Sequence, residues 1–86
     1  MVTINKYELQ IYTIDKTHTI FLADLLSVNG NSTVNASNEA ICNIIDHSLS
    51  LNITFLKLEI KYDEGNIVKL NIFKDKIIAY AIVVKN

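Results

Sequence analysis

The chain has 86 residues, half of them hydrophobic and a fifth charged, with a formal net charge of -1. This is the composition of one globular domain over residues 1–86; it excludes a collagenous or disordered chain and leaves no room for a catalytic domain joined to a regulatory one. A chain this short buries only about 60–65% of its unfolded surface, so its core is thin and gains from a second copy or a partner.

In Lys6–Ile14, Tyr7, Leu9 and Ile11 alternate with Glu8, Gln10 and Tyr12, the period of a half-buried strand. Asp15-Lys16-Thr17 turns the chain. Residues 19–28 read equally as a helix, with Phe21, Leu22, Leu25 and Leu26 in one stripe and Asn29-Gly30 as its stop, or as a second strand. Asn29–Asn38, rich in Asn, Ser and Gly, reads as a surface loop. Residues 36–49 read as a helix: Ile41, Ile44, Ile45 and Leu49 share a stripe with Cys42 at its edge. Asn35 or Ser37 would cap it, and Glu39, Asn43, Asp46 and His47 would project from the opposite face.

The C-terminal third reads as an antiparallel meander. Leu56, Leu58, Ile60 and Tyr62 face one way from Asn52–Tyr62, and Lys57, Glu59 and Lys61 the other. Asp63–Asn66 turns the chain through Gly65, and Val68, Leu70 and Ile72 continue the buried face. Lys74-Asp75-Lys76 turns again. Ile77–Val84 is apolar on both faces, so it is expected inside the sheet, or at an edge that another chain covers. The expected fold is α+β: a two-layer domain with a mostly antiparallel sheet of 4–5 strands and one or two helices on one face.

All eight basic residues are lysine. Arginine is the usual bidentate reader of phosphates and guanine edges, so its absence argues against specific nucleic-acid binding. Charge is unevenly spread, with net -3 over residues 1–52 and net +2 over residues 53–86. The single Cys42 excludes an intrachain disulfide, and no apolar run reaches the roughly 20 residues that span a bilayer. The expectation is a cytoplasmic protein with no membrane partner. The richness in Ile, Asn and Lys matches an AT-rich genome, a virus or a mobile element.

Chemistry is sparsely provided for. One Cys and two His match no metal-ligand spacing, and Cys42 and His47 point to different sides of their helix, so Cys42 reads as buried and inert. Gly30 and Gly65 are the only glycines, which excludes a glycine-rich phosphate loop. Tyr7, Tyr12, Phe55, Tyr62, Phe73 and Tyr80 are dispersed over the predicted strands and read as core packing. Glu39 and Asn43 lie one turn apart on the polar helix face, where a carboxylate and a carboxamide hold Mg²⁺ beside a triphosphate.

Ser37–His47 (SNEAICNIIDH) resembles the N-box helix of the GHKL (Bergerat-fold) ATPases, in particular the anti-sigma-factor kinase branch. The resemblance covers about residues 36–75. It implies that Glu39 acts as base or Mg²⁺ contact, that Asn43 ligates Mg²⁺, and that ATP or ADP is the cofactor. The strand, turn and strand over residues 52–73 follow in the family's order. Lys74-Asp75-Lys76 stands where the family has an Asp-x-Gly box, and one strand, Ile77–Val84, stands where it has a lid and a second glycine-rich box.

Two functional expectations follow. The first is a small non-enzymatic interaction module without a cofactor, of regulator or inhibitor type, that binds a protein partner or itself as a homodimer. Its surface would be Ile77, Ile78, Tyr80, Ile82 and Val84. The alternative is a degenerate GHKL-like nucleotide-binding module with Glu39 and Asn43 near Mg-ATP. The alternative predicts a raised melting temperature in millimolar Mg-ATP, lost in Asn43→Ala. Ligand at 100 times its dissociation constant stabilises by about 2.7 kcal/mol. At roughly 4–8 °C per kcal/mol in a domain of this size, an unchanged melting curve excludes it.

Overall fold

The computed structural model describes residues 6–85; residues 1–5 and Asn86, counted in the expected single domain, lie outside the described residues. Strand β1 (Lys6–Thr13) follows its alternation and buries Leu9 and Ile11 completely. Thr13 closes the next turn, its Oγ1 donating to the Lys16 carbonyl at 2.7 Å. The chain returns as β2 (Thr17–Phe21), antiparallel to β1 with Ile20 opposite Leu9.

A 3₁₀ turn at Leu22–Asp24 then bends the chain into β3 (Leu25–Val28), which belongs to a second sheet. The ambiguous segment 19–28 is therefore strand, turn and strand. Its apolar residues do not form one stripe because two sheets claim them: Ile20 the first, Leu25 and Val28 the second. Asn29 and Gly30, at φ 49° and 81°, are the left-handed pair of a tight hairpin into β4 (Asn31–Ser32), not a helix stop. The expected surface loop is also more structured than its composition implies. Thr33 is buried, with its Oγ1 donating to the Leu25 carbonyl at 2.9 Å.

Helix α1 (Asn38–Ser50) starts two residues later than expected. Ser37, not Asn35, is its cap, with Oγ accepting from the Ala40 amide at 3.1 Å. Ile41 and Ile45 are buried. So is Ser48, whose hydroxyl is satisfied by donating to the Ile44 carbonyl at 2.8 Å.

Strands β5 (Phe55–Asp63) and β6 (Asn66–Phe73) form the expected hairpin, with Gly65 at φ 74° in its turn. Leu56, Leu58 and Ile72 are buried, but the tip of the hairpin runs past the core: Val68 is exposed and Tyr62 is 77% exposed. Both were expected on the buried face; the register of β5 on β6 slips between Lys61 and Asp63, which leaves Tyr62 without a counterpart on β6. A second 3₁₀ turn, Lys74–Lys76, leads into β7 (Ile77–Lys85). The meander stops there, because β7 pairs antiparallel with β1, from Lys6 opposite Lys85 to Thr13 opposite Ile77.

The result is two antiparallel sheets, β2-β1-β7 and β4-β3-β5-β6, with one α-helix. The α+β class and antiparallel pairing are as expected; among the described residues, seven strands in two sheets replace the single sheet of 4–5. Strands that change sheets at bends are a known way to build such corners. One core joins Leu9, Ile11 and Ile20 of the first sheet to Leu25, Val28, Leu56, Leu58 and Ile72 of the second and to Ile41 and Ile45 of α1. Ile45→Ala should lower the unfolding free energy in urea by about 2–5 kcal/mol. Val34→Ala, at an exposed position, should change it by less than about 0.5 kcal/mol. A similar small cost at both positions would place the core elsewhere.

Candidate functional site

β7 is an edge. One side is taken by β1, and among the described residues no strand pairs with the other. The five expected interface residues divide here. Ile77, Tyr80 and Ile82 are partly buried and pack on the core. Ile78 is 67% and Val84 50% exposed. The expectation of a strand inside the sheet is corrected: β7 pairs on one side alone, and some of its apolar side chains are exposed. Ile78 has a particular cause. The register of β7 on β1 slips at this point: Ala79 faces Tyr12 and Ile77 faces Thr13, leaving Ile78 with no counterpart on β1.

Tyr80 holds this strand against the helix. Its hydroxyl donates to the Asp46 carboxylate and lies 3.2 Å from the Cys42 carbonyl oxygen. Burial, and then Asp46, push the phenol well above its ordinary range. Nothing in the local pattern announces this link, since Tyr80 sits in an apolar run and Asp46 on a polar helix face. A groove of about 420 Å³ lies beside the start of β7, lined by Leu49, Lys74, Ile77, Ile78, Ala79 and Tyr80.

On the other face of the first sheet, Tyr12 donates to the Gln10 side chain, whose Nε2 donates to Glu8 at 3.0 Å. Glu8 is only 7% exposed. Phe21 and Val83 are its cross-strand neighbours, and the Lys85 ammonium lies 4.0 Å away. His18, opposite Ile11 on β2, is held below its ordinary pKa by burial and then by Lys16.

Glu39 and Asn43 are both exposed on α1, as are Asp46 and His47. Cys42 is half-buried and free. Among the described residues no three His, Cys, Asp or Glu side chains gather as a metal site would require, and no helix is long and apolar enough to cross a membrane. A second cleft, of about 620 Å³, has Lys57 as its only charged residue, beside Asn29, Leu51, Ile53, Thr54 and Phe55.

Comparison with protein-family models, with curated proteins and with solved structures found no match to this chain.

The Tyr80 link has a pH signature. A phenol whose folded-state pKa lies above its unfolded value of about 10 leaves stability intact below pH 10. Stability is lost as pH rises through and beyond 10, where the unfolded chain ionises first. Tyr80→Phe should flatten this alkaline decline in melting temperature between pH 9 and 12 and cost about 0.5–1.5 kcal/mol at pH 7. Identical alkaline limbs in the two proteins would remove the link.

Proposed function

We propose that this protein is a small non-enzymatic interaction module that works by adding an extended strand of another polypeptide to the free edge of β7. Main-chain hydrogen bonds supply affinity in this mode, and alternate side chains supply selectivity. The observation that carries the reading is the composition of the edge. Ile77–Val84 contains no charge, no proline and no side-chain amide. Proteins that do not use an exposed edge blunt it with charge, proline or a bulge, or keep it short; of these Ile77–Val84 has only the register slip at Ile78.

Of the other sheet edges among the described residues, β4 has two residues and β6 carries Asn66, Lys69 and Asn71; β2, Thr17–Phe21, has five residues against the nine of β7. Tyr80 adds a second support: bonded to α1, it fixes β7 in place, so less conformational freedom is lost on binding. The groove beside Ile77 and Ile78 offers a pocket for an incoming apolar side chain.

A fluorescent peptide with the sequence of residues 77–85 and a soluble tail tests the edge directly. It should bind at one per chain. On binding, it should slow hydrogen exchange at alternate β7 amides, the ones not bonded to β1. Saturating binding with unchanged β7 exchange, or no binding at all, would refute the edge as the site.

A further inference from the structure

We propose that the strand added to β7 is the β7 of a second copy, antiparallel and centred on Ala81, so that two molecules share one six-stranded sheet in the order β2-β1-β7-β7-β1-β2. This rests on the reading of β7 as a strand-adding edge and names its occupant. A two-fold contact must be self-complementary. The β7 sequence has that property about Ala81. Each Ile78 falls opposite the second copy's Val84, Ala79 opposite Val83, Tyr80 opposite Ile82, and Ala81 opposite itself.

Exposure follows the same symmetry. Ile78 and Val84, the most exposed large apolar residues of β7 at 67% and 50%, each lie three positions from Ala81. Antiparallel pairing about Ala81 brings these two open side chains together at both ends of the contact. Ile78, unpaired on β1, thereby gains a neighbour across the edge. The groove lined by Leu49, Lys74, Ile77, Ile78, Ala79 and Tyr80 lies where the second copy's Val84 arrives.

Charge selects the same arrangement. Lys85 falls opposite Ile77 and keeps its own Glu8 at 4.0 Å. A parallel in-register pair would instead set Lys85 beside Lys85, which is destabilising. The small Ala81 at the axis lets the two backbones approach. The thin core expected of 86 residues is completed on both sides of the strand.

The test is light scattering on the intact chain across concentration, together with disulfide trapping in a Cys42→Ser background. The expected result is a concentration-dependent dimer that Ile78→Lys weakens at least ten-fold; Ile78 is exposed, so this variant keeps its fold. Ala81→Cys should cross-link to itself, because directly opposed residues lie about 4.5–5.5 Å apart, within disulfide range. Ala79→Cys alone should not, since two copies of residue 79 would be offset by four positions, about 13 Å. Ala79→Cys mixed with Val83→Cys should cross-link. Trapping at Ala79 alone, or a dimer indifferent to Ile78→Lys, would overturn the proposal. A monomer at every concentration that still binds the residue 77–85 peptide would overturn the second copy and leave the edge standing; a monomer that ignores the peptide would remove both.

Discussion

The fold depends on the pairing of β1 with β7, which brings residues 6–13 beside residues 77–85 and closes the core over Leu9 and Ile11. That pairing requires β7 to leave the sheet of its hairpin neighbours, and a bend makes it leave. The same bend is used twice. In each, a phenylalanine precedes three 3₁₀ residues, and the amide of the next residue donates back to the first: Leu25 to the Leu22 carbonyl, Ile77 to the Lys74 carbonyl. Short 3₁₀ pieces suit this work because they turn the chain tightly without committing it to a helix. One bend carries the chain from the first sheet to the second, the other carries it back, and α1 adds Ile41 and Ile45 to the core that both sheets share.

What was legible in the sequence was local. Period-2 alternation marked β1, β5 and β6 and the buried sides of β1 and β5, and the Ile41/Ile45 stripe marked α1. Alternation says which side chains share a face, but it does not name the neighbouring strand, so one meander looked sufficient where there are two sheets. It also does not say how far a face is covered. Val68 obeys the pattern and is exposed, whereas Glu8 obeys it and is buried at 7% exposure between Phe21 and Val83. Asn29-Gly30 carried a readable signal, since Asn-Gly is a strong two-residue hairpin turn. The apolar run before it drew the reading towards a helix end.

The open edge was legible in part, for a physical reason. An eight-residue stretch with apolar side chains on both faces has either two covered faces or one left partly open. The structure makes the distinction residue by residue: Tyr80 and Ile82 face the core, Ile78 and Val84 remain open. The Tyr80–Asp46 bond joins two segments 34 residues apart, and no pattern within either could have announced it. It makes the edge a supported surface, backed by a helix, and not a strand that frays from its sheet.

The β1–β7 pairing also sets the order in which the chain can become a protein. On the ribosome, β1 emerges well before β7, with Leu9 and Ile11 ready for burial. Until residues 77–85 have been made, β1 has its hairpin with β2 but lacks its other strand neighbour. Closure then brings together segments far apart in sequence, at a loop-entropy cost larger than that of a local hairpin. Topologies dominated by such distant pairings fold in roughly milliseconds to seconds, where local ones need microseconds. For that interval the nascent chain exposes an apolar strand in search of a partner, and completion of β7 ends its exposure.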